Sequence, residues 1–228
     1  PLAAIRTNAQ AARRIIGQAD PDMPELRDAL GDIVADSQRA NDVIERVSAL
    51  LRRDTSAHAA VDLNAGVDEV VRLLRADLAA RRISLHVELA PGLPRVFGDR
   101  IQLQQVALNL LMNACDAVEQ QPDETRRISL RTAVDDDSVV VSVTDHGEGL
   151  TDEQLRRAFE PFFTTRVNGM GLGLPICQMI MDLHDGTLGA SRVTGHGMTF
   201  SFTLPALPSP ATADAPDARG DNRVGLLS

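Results

Sequence analysis

The apolar positions of this chain change period along its length. Leu2, Ile5, Ala9, Ala12 and Ile16 stand three or four residues apart, the spacing that puts side chains on one face of a helix. Gly17 and the stretch Asp20-Pro21-Asp22-Met23-Pro24 then interrupt it with turn-forming residues. A second apolar series follows at Leu26, Leu30, Ile33, Ser37, Ala40, Ile44, Val47 and Leu51. Its steps of four and three describe one seam along a long helix. Two such helices joined by a short loop predict a helical hairpin over residues 1–53. A lone hairpin buries its seams poorly, and two hairpins complete a four-helix bundle. A homodimer through residues 1–53 is therefore expected. A hairpin docked on its own neighbouring domain is the alternative.

Beyond a linker at residues 54–60, periods of two and 3.6 residues alternate. Helices are predicted over 63–81, 99–120 and 172–184, and a strand over 83–89. Ile128, Leu130, Thr132 and Val134 alternate with polar residues, as in a half-buried strand. Residues 139–143 form a β-branched run. The turn-prone Asp135-Asp136-Asp137-Ser138 between these two segments predicts a hairpin. Residues 187–193 and 198–204 read as two closing strands. Several strands are joined by hairpins rather than crossovers. That predicts an α+β fold, a two-layer sandwich with one mixed sheet and helices on one face, over residues 61–205. Residues 206–228, rich in Pro, Ala, Asp and Gly and without aromatics, read as a disordered tail.

Composition narrows the function. The 228 residues carry a formal charge of -9, which argues against nucleic acid as a partner. The two cysteines, Cys115 and Cys177, lie in apolar helical stretches and read as reduced core residues. No apolar run reaches the ~18 residues needed to cross a bilayer, and no signal peptide is expected. The expectation is a cytoplasmic chain without direct membrane contact, with a membrane segment further upstream left open.

Four polar constellations stand out. Asn109 and Asn113, four apart on the 99–120 helix, share one face, and Gln105 and Asp116 extend their stripe. Buried amides need partners. Loop capping is one reading; amide oxygens offered to Mg²⁺ and phosphates is the other. Asp145 ends a strand in phase with Val139, Val141 and Val143. A carboxylate only accepts hydrogen bonds, so at a pocket floor it selects adenine, whose exocyclic group is an amine. Gly147 and Gly149 permit a sharp turn and close approach to a base; a strand-to-helix turn capped by Asp is the plainer alternative. Gly169, Gly171 and Gly173 precede an apolar helix whose start can bind phosphate oxygens. Neither a Rossmann nor a Walker arrangement frames them. Phe159-Glu-Pro-Phe-Phe163 can pin one end of a short lid over residues 164–170. Arg166 on that lid could reach a γ-phosphate, or simply be an exposed arginine.

In this order the motifs resemble the nucleotide-binding domain of sensor histidine kinases, over roughly residues 1–205. The wider superfamily, called GHKL, also contains DNA gyrase, mismatch-repair ATPases and related chaperones. The resemblance implies ATP and Mg²⁺ as cofactors, with Asn109 the direct metal ligand and Asn113 near the phosphates. It implies nucleotide contacts at Asp145, Gly147, Gly149, Thr164, Thr165, Gly169, Gly171, Leu172, Gly173 and Leu174. Gly195-His-Gly197-Met-Thr199-Phe200 resembles the family's final strand, where Thr199 would support the adenine. ATPase members carry a glutamate general base where this chain has Asn109. An amide cannot take that proton, so phosphoryl transfer is expected, with Asn109, Asn113 and Arg166 as the catalytic group.

Pro1-Leu-Ala-Ala-Ile5 resembles the segment just after the phospho-accepting histidine in these kinases. Phe162-Phe163-Thr164-Thr165 suits the nitrogen- and oxygen-sensing type. Asp116 stands where many members have a base, and the same type often has an acid there. The acceptor is then expected a few residues before Pro1. None of the five histidines present fits its place, with His58 an outside candidate. The chain is expected to be the catalytic core of a histidine kinase. The γ-phosphoryl would pass to that histidine and on to an aspartate of a response-regulator receiver domain. A GHKL-type ATPase, a serine-directed anti-sigma-type kinase, and a non-catalytic dimerisation and regulator-docking module are the alternatives.

Overall fold

A computed structural model describes residues 2–18, 22–34, 58–166 and 170–208. The chain divides into two compact units, residues 1–56 and 57–228. In the first, helix α1 spans Leu2–Ile16 and stops at Gly17, where the sequence predicts a break. Helix α2 covers residues 23–34. Asp22 starts it, its side chain accepting from Glu25 N–H at 3.0 Å. Ala12 and Ile15 of α1 pack on Leu26 and Ala29 of α2. This differs from the expected seam. Ile16 is 61% exposed and Leu30 49%, because each lies about 100° around its helix from the buried neighbour that precedes it. The seam residues 37–51, most of the expected linker, Gly169 and the tail from residue 209 lie outside the described residues.

The second unit opens with strand β1, Ala59–Val61, which overlaps the end of the span read as linker. It pairs antiparallel with β3, Val96–Gly98. Both strands have three residues, too few for an alternating pattern to show. Between them lie α3, Leu63–Ala80, and β2, Ser84–Glu88. Helix α4 is Arg100–Val118. A hairpin follows, β4 Arg127–Asp135 and β5 Ser138–Asp145, in register Leu130↔Val143. A six-residue helix α5, Asp152–Arg157, carries a capping box from Thr151 and Gln154. Helix α6, Gly173–Asp182, leads into β6, Thr187–Arg192, and β7, Met198–Pro205. The large sheet runs β2-β4-β5-β7-β6. Only β2 against β4 is parallel, so the sheet is mixed, as the hairpin-rich pattern predicts.

Alternation decides which side of the sheet is covered. Ile128, Leu130, Val139, Val141, Val143, Phe200, Phe202 and Leu204 join one core with the apolar faces of α3, α4 and α6. The intervening residues Ser129, Ser142, Ser201 and Thr203 are half-buried or exposed on the other side. Helix α4 is tied down at its start. Asp99 accepts from the N–H groups of Ile101 and Gln102, and its own N–H donates to Nε2 of buried His184 at 2.9 Å. Nδ1 of the same ring donates to the Ile180 carbonyl at 2.7 Å, which fixes a neutral imidazole with its proton on Nδ1. His58 stacks on this ring at 4.8 Å. Gly98 is obligatory beside it, since a Cβ would lie 2.5 Å from the His184 ring. Both histidines are thus packing residues at the end of the unit where α4 begins.

Candidate functional site

Asp145 closes β5 on the core side of the sheet and is 2% exposed. Its Oδ1 accepts from the N–H of Gly147 at 2.9 Å and of Met198 at 3.3 Å. Among the described residues Oδ2 has no hydrogen-bond partner, and it is not a sealed atom, so it is an acceptor left open. Burial pushes this carboxyl above its ordinary range, against the pull of those two N–H groups and the charges of His146 and Arg166. The loop after it is held by glycines. A Cβ on Gly147 would lie 2.5 Å from the Ala117 carbonyl, and one on Gly197 2.0 Å from that of Asp145. Gly149 has φ +77, a conformation that glycine adopts without strain. His146 points away, exposed against the Arg127 carbonyl.

Thr199 does not join this site. It pairs with Thr144 across the sheet, and the two hydroxyls lie 2.8 Å apart. Thr144 and Asp145 are consecutive in a strand, so their side chains face opposite sides. Met198, 2% exposed, has the core-facing parity and supplies the N–H to Asp145. The Met198-x-Phe200-x-Phe202-x-Leu204 alternation already held that answer.

The two asparagines do come together with the glycine helix. A Cβ on Gly173, the first residue of α6, would sit 3.9 Å from Asn113 Nδ2. Asn109 Nδ2 donates to the Cys177 sulfur of α6 at 3.6 Å. Leu172 and Leu174 are half-buried and pack on the core. Gly171, at φ +64, accepts at its carbonyl from Phe162 N–H at 2.9 Å, and a Cβ on it would meet the Phe163 carbonyl at 2.3 Å. The Phe motif and the glycine motif are therefore clasped backbone to backbone. Phe163 stacks under the Arg157 guanidinium at 4.4 Å, while Phe162 is exposed with φ +66.

Thr164 and Thr165 are exposed. Thr164 Oγ accepts from Arg166 N–H at 3.1 Å and shapes the turn that aims Arg166. The guanidinium of that arginine reaches α4, donating to Asn113 Oδ1 at 3.3 Å, the Asn113 carbonyl at 2.7 Å and Asp116 at 2.5 Å. Asp116 is shared with Arg81 at 2.9 Å. Among the described residues no group of three His, Cys, Asp or Glu side chains forms a metal cluster. A divalent ion here would use neutral oxygens such as Asn109 Oδ1 together with the ligand's phosphates, a donor set that suits Mg²⁺.

A buried carboxylate floor, two amides on one helix face, and a glycine-started helix beside them define a nucleotide-binding ATPase-type domain. Residues 98–208 match the family of histidine kinase-, DNA gyrase B- and HSP90-like ATPases. The sensor histidine kinase TmoS of Ectopseudomonas mendocina is 36% identical over 207 residues, 90% of this chain and 21% of that protein. The sensor protein FixL of Bradyrhizobium diazoefficiens is 35% identical over 207 residues, 90% of this chain and 41% of that one. The solved catalytic domain of histidine kinase ThkA is 30% identical. It matches with TM-score 0.59 over 66% of this chain and 97% of that chain. ThkA in complex with the response regulator protein TrrA shares the fold at 23% identity, TM-score 0.68, over 90% of this chain and 58% of that one. The chain belongs to the histidine kinase family, and it spans about a fifth to two fifths of the length of the curated relatives TmoS and FixL.

Proposed function

We propose that this chain is the catalytic core of a sensor kinase. It binds Mg-ATP and delivers the γ-phosphoryl to a histidine expected upstream of Pro1. From there the phosphoryl passes to an aspartate of a response-regulator receiver domain. The observation that carries this reading is the makeup of α4. Its site face presents Asn109 and Asn113, and its one carboxylate, Asp116, is committed to Arg81 and Arg166. No general base for water stands on that helix, so the site suits transfer rather than hydrolysis.

Asp145 Oδ2 accepts the adenine amine, and the closed turn of Gly147 and Gly149 lets the base lie flat against backbone. Gly171, Gly173 and the first N–H groups of α6 receive phosphate oxygens. Mg²⁺ when bound supplies charge neutralisation between phosphates, with Asn109 Oδ1 as its protein ligand. Arg166 leaves Asp116 for the γ-phosphate, exchanging one charge-assisted bond for another. The chain's contribution is mainly placement and charge. ThkA's complex with TrrA supports a receiver-domain partner. No described helix is long and apolar enough to cross a membrane, and buried reduced cysteines support a cytoplasmic setting.

Incubation with γ-labelled Mg-ATP tests this, using the chain as it stands beside a version extended upstream through the expected histidine. Acid-labile label on the extended version alone is the expected result. Free phosphate without labelled protein in either sample would favour an ATPase instead, and no affinity for Mg-ATP would leave a docking module.

A further inference from the structure

Cys177 lies fully buried on α6, one turn after its first residue. The proposed nucleotide chemistry gives it no role. Yet its sulfur is the hydrogen-bond partner of Asn109, at 3.6 Å from Nδ2. An asparagine amide has two ends of opposite character, and a metal ligand must present the oxygen. With Nδ2 turned into the α4–α6 contact, Oδ1 is turned out of it. Among the described residues Oδ1 has no hydrogen-bond partner, and it is not among the buried unpartnered atoms, so it faces the open side of the site. Outer groups that fix a ligand's orientation commonly change metal affinity by about 10–100-fold when removed.

We infer that Cys177 is a positioning residue. Its sulfur accepts the Asn109 Nδ2–H and thereby aims Asn109 Oδ1 at the site of the divalent cation. This rests on Asn109 being the metal ligand. Cys115, the other thiol, is ruled out of such a role. It is sealed in the core and burial pushes it up to about 11, and Asn109 donates to Cys177 instead.

The test is nucleotide binding by titration calorimetry on the full chain, with ATP at a series of Mg²⁺ concentrations and with EDTA. The variants are Cys177→Val, similar in size without an acceptor, Cys177→Ser, Asn109→Ala, and Asn109→Ala combined with Cys177→Val. Cys177→Val should need several-fold to about tenfold more Mg²⁺ to reach its half-maximal gain in ATP affinity. Its EDTA affinity should stay within about twofold, since the sulfur touches no nucleotide group. Cys177→Ser, which keeps an acceptor, should recover most of the Mg²⁺ response. Asn109→Ala should abolish the metal-dependent gain, and adding Cys177→Val to it should change nothing further. A thermal melt of each variant separates folding loss from metal response, because a purely structural cysteine would lower ATP affinity equally with and without Mg²⁺. That result, or an unchanged Mg²⁺ response in Cys177→Val while Asn109→Ala loses it, overturns the positioning role alone. An unchanged Mg²⁺ response in Asn109→Ala overturns the ligand assignment and the positioning role together.

Discussion

Asp145 is the residue whose chemistry is most tightly bound to its surroundings. Burial raises its pKa, so the ionised acceptor is lost as pH falls through a value above the ordinary carboxylate range. In the free protein the same raised pKa means that protonation favours the fold in that window. ATP affinity should therefore decline on acidification while thermal stability holds or rises slightly, which separates the effect from acid unfolding. Asp145→Asn should remove this carboxylate-linked part of the decline. Gly147 and Met198 N–H groups fix the acceptor end of the side chain, so the amide NH₂ would face the adenine amine, donor against donor. A hydrogen bond to a charged group contributes about 1.5–3 kcal/mol, and the expected loss in ATP affinity is roughly tenfold to a hundredfold at neutral pH. Calorimetry across pH on both proteins checks it; parallel pH profiles would show that Asp145 does not set the acid limb.

At the scale of elements, the segment from Phe162 to Arg166 is held at both ends, by Gly171 and by α4. Arg166 has two competing anions within its range of roles, Asp116 in the free chain and the γ-phosphate in the proposed complex. Removing the competitor should help the ligand. Asp116→Asn is expected to strengthen ATP binding about twofold to fivefold, since solvent screens much of this half-buried ion pair. Arg166→Ala should weaken ATP binding about tenfold and leave ADP within about twofold. Equal losses for ATP and ADP would remove Arg166 from the γ-phosphate. The sequence announced α3, α4, α6 and the β4–β5 hairpin because each is long enough to show its period. It hid β1 and β3, three residues each, and α5, although the Thr151-x-x-Gln154 capping signature was there to read. It also pointed to Asn109 and Asn113, which the structure brings against the start of α6, and to Asp145, buried beside Gly147. Thr199 was misplaced because a motif position was followed instead of strand parity. Cys177 read as core, since only the α4–α6 packing brings it to Asn109.

For the whole molecule, the described residues of the first unit carry apolar side chains that stay exposed. Ala12, Ile15, Leu26 and Ala29 close on one another, while Ile16, Leu30 and Val34 stay exposed at 61%, 49% and 58%. Ile16 and Leu30 each follow a buried position, and Val34 lies one turn beyond Leu30, so the residues extend an apolar face rather than scatter. A four-helix bundle built from two hairpins would bury such a face, which supports a homodimer through residues 1–53. Leu30→Glu and Ile16→Glu each place a charge on that face without touching the intrachain cluster. Sedimentation should show the unaltered chain as a dimer and the double variant as a monomer. Calorimetry on the same double variant should give an unchanged ATP affinity, because the proposed nucleotide contacts all come from the second unit. A dimer that survives both charges would place the self-association elsewhere on the chain. A monomer from the start would return the hairpin to the alternative of docking on its own neighbouring domain.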